Sequence, residues 1–227
     1  HGESTANVDE QVYLKVFDHN IELTEHGKNQ AKEAGKKLKE LIVRDLQQIK
    51  NHGHLPEMSY VKNLNVFCSP YTRTIQTWEE INKQLKEGKR AIKVDKAIDE
   101  TNSKGEFEEA PLLREQEHKV FKDLHDSNSK KEEQANFGKF WYRFKNAESI
   151  ADVYQRVSIF MNDLQNRYQA KEVAETVVII AHEITINMLL MYLFRKETHN
   201  YPTSVKNCEI IEVDTRSFIR GTKLSRH

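Results

Sequence analysis

The chain has 227 residues, a length that fits one large α/β domain or two smaller domains. Lysine plus arginine and aspartate plus glutamate both number 35, so the formal net charge is zero. This balance argues against a nucleic acid or an anionic membrane that is recognised through bulk charge, and because no apolar run approaches the roughly 18 residues of a transmembrane helix we predict no membrane-spanning segment.

The cysteines and the first residue bear on the compartment. Cys68 and Cys208 both lie in apolar, strand-like runs, and we interpret them as buried thiols in a reducing compartment. This favours a cytoplasmic protein. Because the chain begins with His1 and not with methionine, any targeting segment would lie upstream, and an organellar location is the alternative.

Helices and strands alternate along the chain. Apolar residues at spacings of three and four predict a helix over residues 23–51, with Thr24 as its N-cap. The further predicted elements are, in chain order, a strand at 64–68, a helix at 69–85, a strand at 91–94, a helix at 149–170, a strand at 176–181, a helix at 184–194 and a strand at 208–213. The strand at 176–181 is nearly all apolar and β-branched, as expected when both of its faces are covered.

This alternation predicts an α/β fold with three layers, in which a mainly parallel sheet carries helices on both faces. Residues 99–140 are charged and show little periodicity, so we expect a partly helical excursion over the core. Ligands of open parallel sheets bind beyond the carboxyl ends of the strands. Two polar segments follow predicted strands directly, namely 69–73 and 182–183, whereas 1–4 would follow a strand only if one lay upstream.

Six sequence blocks in a fixed order carry a family resemblance. They are His1-Gly-Glu-Ser-x-x-Asn7, Leu23-Thr-Glu-x-Gly-x-x-Gln-Ala31, Ser69-Pro-x-x-Arg73-Thr-x-Gln-Thr77, Pro111-x-Leu-Arg-Glu115-Gln, Glu148-Ser-x-x-Asp152-Val-x-x-Arg156-Val, and the strand that ends in His182. The chain resembles the histidine phosphatase and phosphoglycerate mutase family, entered just after the arginine of its Arg-His-Gly opening. The resemblance implies one domain over residues 1–227, in which 99–147 form an excursion that covers the active site.

The resemblance also implies a role for each polar residue of the predicted site. Neutral His1 would be the nucleophile that forms a phosphohistidine. Arg73, Asn7 and His182 would bind the phosphoryl oxygens, and His182 would also stabilise the charge that develops in the reaction. Glu115 would protonate the leaving alcohol and then deprotonate the attacking water. This mechanism requires neither a metal ion nor another cofactor.

Each assignment has a structural alternative. His1 could be the first ordered residue of a tail, Arg73 a surface residue of a helix, and His182 a hydrogen-bonded core histidine. For Glu115 the alternative is a solvated surface charge, because residues 114–117 contain two carboxylates.

Three departures from the family pattern bear on activity. The arginine that precedes the family's histidine, and the strand that delivers both, are absent from this sequence. We expect them upstream of His1, and a strand supplied by another chain is the alternative. Glu183 stands where the family commonly has glycine. A carboxylate there would repel phosphate and weaken catalysis, or it would serve as an alternative proton donor.

The sequence therefore predicts a metal-independent phosphoric monoester hydrolase that acts on small phosphorylated metabolites. One alternative is a family member with weakened or lost catalysis that serves as a structural or interaction subunit of an assembly. A second alternative is a phosphoglycerate mutase, although the segment around Glu115 and the run 137–142 resemble the phosphatase branch more closely. A homo-oligomer or a larger assembly is compatible with each of these functions, and no nucleic-acid partner is predicted.

Overall fold

The computed structural model describes residues 1–51, 64–87, 95–96, 106–117, 132–145, 147–169, 176–195, 204–214 and 223–226. The α-helices are α1 (Thr5–Val8), α2 (Glu25–Asn51), α3 (Thr72–Lys86), α4 (132–137), α5 (Ile150–Gln169) and α6 (Glu183–Phe194). The strands are β1 (Leu64–Cys68), β2 (Asp95–Lys96), β3 (Glu106–Glu109), β4 (Thr176–Ile180), β5 (Ile211–Asp214) and β6 (Lys223–Arg226). Short 3₁₀ helices cover Glu10–Leu14, Asp18–Asn20 and Pro111–Leu113.

Four of the described strands form a parallel sheet in the order β2-β3-β1-β4. Strand β1 pairs with β4 along its whole length, from Leu64 opposite Thr176 to Cys68 opposite Ile180. Strands β5 and β6 form a separate antiparallel pair. The predicted α/β class with a mainly parallel sheet is confirmed.

The two faces of β1 contact two different hydrophobic clusters. Side chains of a strand alternate between its faces, and Leu64, Val66 and Cys68 belong to a cluster that contains residues of α2 and α3. Phe67 belongs to the other cluster, which is built mainly from α5 and α6. The sheet is thus covered on both faces, as the three-layer prediction requires.

The predicted helices correspond to α2, α3, α5 and α6, with small shifts at their ends. Thr24 is confirmed as the N-cap of α2, because its Oγ1 accepts a hydrogen bond from the Gly27 N–H at 2.9 Å. The Thr24 N–H in turn donates to the carbonyl oxygen of Glu3 at 2.9 Å, which fixes the start of α2 against the first residues of the chain. Within the described part of the chain, no helix is both long enough and apolar enough to cross a membrane.

The largest correction concerns residues 106–109, which the sequence analysis placed in the excursion at 99–147. They form β3 of the central sheet, where Phe107 and Glu109 lie opposite Val66 and Cys68 of β1. Their sequence, Glu-Phe-Glu-Glu, contains no apolar run. The strand is defined by its pairing with β1 and not by a local pattern, which is why periodicity did not reveal it. For the remainder of 99–147 the excursion stays a prediction.

The other predicted strands differ in smaller ways. The strand predicted at 208–213 begins instead at Ile211, because Cys208 lies in a turn with a φ of 56°. The strand at 176–181 is confirmed as β4, in which Ile180 is buried and Val177 to Ile179 are half-buried. The strand predicted at 91–94 lies outside the described residues.

Candidate active site

The carboxyl ends of β1 and β4 bring two polar segments together. The paired strands end at the same level, and the Ser69 N–H donates to the carbonyl oxygen of Ile180 at 2.9 Å. Ser69 and His182, which follow the two strands, then meet in a buried hydrogen bond of 2.7 Å between Oγ and Nε2. The position expected for ligands of an open parallel sheet is therefore occupied by hydroxyl and imidazole groups.

His1 is fixed beside this pair through its main chain. Its nitrogen donates to the carbonyl oxygen of Ala181 at 3.2 Å, and its carbonyl oxygen accepts from the Cys208 N–H at 3.0 Å. The next residue, Gly2, donates its N–H to Thr77 Oγ1 of α3 at 3.0 Å. These contacts place His1 at the end of β4 rather than in a tail.

The two nitrogens of the His1 ring differ, because Nδ1 makes a hydrogen bond within the chain and Nε2 makes none to the described residues. Nδ1 lies 2.7 Å from the carbonyl oxygen of Gly2. A carbonyl oxygen can only accept, so this hydrogen bond assigns the proton to Nδ1 and leaves the lone pair on Nε2. The ring lies edge-to-face against the ring of His182, with 5.1 Å between the centroids. This tautomer and position suit a nucleophilic Nε2.

His182 is a buried, uncharged imidazole. Its side chain is 0% exposed, and burial lowers its pKa well below the ordinary value, with a further contribution from the positive charge of Arg73. Its Nδ1 is buried, makes no hydrogen bond to the described residues, and lies 3.6 Å from Oε2 of Glu115. The ring also contacts the Tyr71 ring edge-to-face at 5.1 Å. A neutral ring can donate a hydrogen bond to a phosphoryl oxygen without adding charge.

Glu115 is a largely but not fully buried carboxyl group at the same place, and not a solvated surface charge. Its side chain is 15% exposed, and burial raises its pKa to about 7, although the nearby Arg73 guanidinium opposes the shift. Its Oε1 accepts a hydrogen bond from the Gln116 N–H at 2.9 Å. A carboxyl group with this pKa holds its proton in mildly acidic solution and can give it up near neutrality, which is what a general acid needs.

The segment that carries Glu115 is held by Arg156 of α5. Arg156 donates to the carbonyl oxygens of Leu112 at 2.6 Å and of Glu115 at 3.1 Å, and it also pairs with Glu148. Thr185 of α6 donates to the Arg114 carbonyl oxygen at 2.8 Å. Arg156 belongs to one of the six sequence blocks, but its spacing alone gave it no role.

Arg73 lies inside the site and not on the surface. Its side chain is 3% exposed, and its Cζ lies 5.0 Å from the centre of the Tyr71 ring, which also contacts His182. Its Nη1 donates to the carboxylate and to the carbonyl oxygen of Asp18. The sequence analysis gave no role to Asp18, which follows no predicted strand, or to Tyr71, which lies in the segment 69–73 but at an unspecified position of the quoted block.

Among the described residues, Asn7 and Glu183 make hydrogen bonds to neighbouring segments and not to His1, Arg73, His182 or Glu115. Asn7 is exposed, and its Oδ1 accepts from the N–H and the hydroxyl of Ser4, each at 2.9 Å, so the remaining polar atom of its amide is the Nδ2 donor. Glu183 is exposed at the start of α6, and its Oε1 accepts from the Val205 N–H at 3.3 Å. The carboxylate of Glu183 therefore contacts the segment 204–206, whereas Glu115 contacts His182.

The chain is similar in sequence to several known proteins. A profile of the histidine phosphatase superfamily (branch 1) matches residues 1–218. Phosphoglycerate mutase-like protein AT74H from Arabidopsis thaliana is 34% identical over 217 residues, which cover 92% of this chain and 69% of that protein. Broad-range acid phosphatase DET1 from Saccharomyces cerevisiae is 26% identical over 86% of this chain and 77% of that protein. A second Arabidopsis relative, phosphoglycerate mutase-like protein AT74, is matched over only 56% of its length.

Solved structures show the same fold. A mycobacterial glucosyl-3-phosphoglycerate phosphatase in complex with VO3 has a TM-score of 0.62 at 17% identity, over 100% of this chain and 93% of that one. Bacillus stearothermophilus YhfR has a TM-score of 0.60 at 20% identity, over 95% of this chain and 89% of that one. Taken with the profile match along nearly the whole sequence, these likenesses show that the chain belongs to branch 1 of the histidine phosphatase superfamily.

Proposed function

We propose that the chain is a phosphatase that hydrolyses phosphate monoesters of small metabolites through a phosphohistidine on His1, without a metal ion. The observation that carries the proposal is the contact of the His1 ring with His182, which itself lies beside the buried Glu115. A nucleophile, a hydrogen-bond donor and a proton donor thus occupy one site. The acid phosphatase among the relatives supports hydrolysis.

In the first step, Nε2 of His1 attacks phosphorus and the bond from phosphorus to the alcohol oxygen breaks. Glu115 gives its proton to the departing oxygen, so that a neutral alcohol leaves. Arg73 binds phosphoryl oxygens through its N–H groups, and the neutral His182 ring and the Asn7 amide add hydrogen bonds. The Gly2 carbonyl oxygen keeps accepting from Nδ1 and stabilises the ring while Nε2 carries the phosphoryl group.

In the second step, Glu115 is a carboxylate and removes a proton from water. The water oxygen attacks phosphorus, the bond between phosphorus and Nε2 breaks, and inorganic phosphate leaves. His1 is again neutral with its proton on Nδ1, and Glu115 is again protonated. The cycle therefore needs no proton or electron from a cofactor.

The pKa of Glu115 sets the pH range of the first step. Because burial raises this pKa to about 7, the carboxyl group is protonated in acidic solution and loses its proton as the pH rises through neutrality. Turnover therefore falls above about pH 7.

Removing a general acid costs about 10²- to 10⁴-fold in rate. Glu115→Gln should lose most with alkyl phosphates, whose leaving groups need a proton, and least with activated aryl phosphates. Glu183→Gln, which tests the alternative donor, should retain near-wild-type turnover with both.

The direct test uses the full-length protein and a generic aryl phosphate between pH 4 and pH 8, in EDTA. We expect turnover by the wild type, none by His1→Ala, and unchanged turnover by the control His26→Ala, which alters an exposed histidine of α2. Turnover that survives in His1→Ala would contradict the proposal. No turnover by a well-folded wild type would favour the alternative function as an interaction subunit.

A phosphoglycerate mutase is the second candidate, because the two Arabidopsis relatives carry mutase-like names. A mutase moves a phosphoryl group between hydroxyls and releases little inorganic phosphate. Incubation with 3-phosphoglycerate separates the two functions. Inorganic phosphate as the main product supports the phosphatase, whereas an isomeric phosphoglycerate supports the mutase.

A further inference from the structure

The guanidinium of Arg73 forms an ion pair with the carboxylate of Asp18. Nη1 donates to Oδ1 of Asp18 at 2.8 Å and to the backbone carbonyl oxygen of the same residue at 2.7 Å. The Arg73 side chain is 3% exposed and the Asp18 side chain 24%. The pair is therefore screened by solvent and salt much less than a surface ion pair.

The backbone around Asp18 holds the carboxylate in place. Asp18 opens the 3₁₀ helix Asp18–Asn20, in which the Asn20 N–H donates to the carbonyl oxygen of Phe17 at 2.8 Å. Ile21, directly after this helix, is 1% exposed and anchors the segment in the protein interior. The position of Asp18 against Arg73 is thus built into the fold.

Arg73 keeps further donors for a ligand. A guanidinium carries five N–H donors, and Asp18 uses those of Nη1, while Nε and Nη2 make no hydrogen bond to the described residues. A phosphoryl group that binds Nε and Nη2 would share one guanidinium with the Asp18 carboxylate. Two anions on one cation repel each other, and this repulsion doubles when the phosphoryl group carries two charges instead of one.

We propose that Asp18 determines the charge selectivity of the phosphate site, so that the site favours the singly charged form of a phosphate monoester and does not retain doubly charged inorganic phosphate. The inference rests on the proposed function, because it takes Arg73 as a ligand of the phosphoryl group. Asp18 acts through Arg73 and is a positioning residue, not a catalytic one.

The charge of Asp18 contributes to the pKa shifts of three other titratable groups, and His19 of the same 3₁₀ helix contacts the Tyr71 ring with 6.4 Å between the centroids. Partial desolvation, together with the charge of Asp18, raises the pKa of Tyr13, in the preceding 3₁₀ helix and 43% exposed, and that of Tyr71, before α3, to about 12 in each case. Both phenols are therefore neutral at pH 5 and at pH 8, where phosphate binding is compared. The third group is Glu115, whose pKa of about 7 lies between pH 5 and pH 8. Glu115 is mostly protonated at pH 5 and mostly ionised at pH 8. A comparison of the variants with the wild type at one pH therefore reports the effect of the Asp18 charge on phosphate binding.

The experiment is calorimetric titration of the full-length protein with inorganic phosphate, which requires no turnover. Asp18→Asn keeps the size of the side chain and an oxygen that accepts from Arg73, and it removes only the charge. We expect phosphate to bind the variant about tenfold more tightly than the wild type at pH 8, where the ligand is a dianion. At pH 5, where it is a monoanion, half the repulsion predicts a gain of about threefold.

Two further variants make the outcome decisive. Asp9→Asn alters an exposed aspartate whose Oδ1 accepts from the Gln11 N–H, and it should leave phosphate binding unchanged. Asp18→Ala removes charge and acceptor while the backbone contact to Arg73 stays, and it should also tighten binding. Unchanged or weaker binding in both Asp18 variants, with ester hydrolysis intact in the wild type, would overturn this inference alone. A wild type that neither binds phosphate nor hydrolyses esters would overturn the proposed function as well.

Discussion

Replacing Glu115 by glutamine should stabilise the protein at pH 8 while it removes the proposed proton donor. The carboxyl group is buried beside His182, and its pKa is raised to about 7 because burial disfavours the charged form. An unfolded chain carries this group at its usual value of 4.5. Holding the ionised carboxylate in the folded site therefore costs free energy once the pH exceeds both values. A glutamine of nearly the same shape does not ionise and avoids this cost.

The magnitude follows from the two pKa values. Between 4.5 and about 7, each pKa unit corresponds to about 1.4 kcal/mol, which gives about 3 kcal/mol in total. The sign is that of a raised carboxyl pKa: the folded state binds the extra proton, so stability falls as the pH rises from 4.5 through 7. The difference in unfolding free energy between Glu115→Gln and the wild type should be small at pH 5 and reach about 3 kcal/mol at pH 8.

Urea unfolding at pH 5 and pH 8, followed by circular dichroism, measures this difference. The matched control is Glu117→Gln, because Glu117 is 54% exposed, pairs with Arg114 and lies only two residues away. We expect the control to change the unfolding free energy by less than about 0.5 kcal/mol at either pH. A Glu115→Gln variant that is less stable than the wild type at pH 8, or equally stable, would refute the reasoning.

Three further substitutions test the supports of the site. Thr24→Ala removes the hydrogen bond to the Gly27 N–H and should cost about 1 kcal/mol in urea unfolding. Gly27→Ala should lower kcat and thermal stability together, because a Cβ at Gly27 would lie 2.0 Å from the carbonyl oxygen of Glu3 and push the first residues of the chain away. Arg156→Met releases the carbonyl oxygen of Glu115 and should lower kcat about tenfold to a hundredfold in steady-state assays while the far-ultraviolet circular dichroism keeps its shape.

Each of these has an outcome that would contradict it. An unchanged unfolding free energy in Thr24→Ala would mean that the cap contributes nothing. Wild-type kcat in Gly27→Ala would show that the chain relaxes around the new methyl group without moving the site. Wild-type kcat in Arg156→Met would show that other contacts suffice to hold the Glu115 segment.

The elements that the sequence predicted well are those with a strong local signal. Strands β1 and β4 are mostly apolar, with Asn65 and Thr176 as their polar residues, and α2, α3, α5 and α6 follow the helical spacing of apolar residues. Strand β3 carries no such signal, because three of its four residues are glutamates and its strand conformation comes from pairing with β1. The start of β5 was misplaced because the left-handed conformation of Cys208, with a φ of 56°, is not apparent from an apolar run.

The residues of the site also differ in how well the local sequence predicted them. The segments that contain Arg73 and His182 were predicted because they follow strands, whereas the roles of these two residues and of His1 and Glu115 came from the family resemblance. In the structure His1 and Glu115 lie beside His182. The partner of Arg73 could not be found, because Asp18 lies 55 residues away in sequence and meets it only in the folded chain. Nor could the sequence give the direction of a side chain. Glu183 follows His182 directly, yet its carboxylate accepts from the Val205 N–H.

Trapping of the phosphoryl-enzyme tests the central claim most directly. The wild type, mixed with an aryl phosphate in EDTA and quenched in denaturant at alkaline pH, should carry one phosphoryl group by intact-protein mass spectrometry. The group should be stable in alkali, be lost in acid as expected of a phosphohistidine, map to His1, and be absent from His1→Ala. A wild type that turns over substrate without any trapped phosphoryl group, or a group that persists in His1→Ala, would contradict the account.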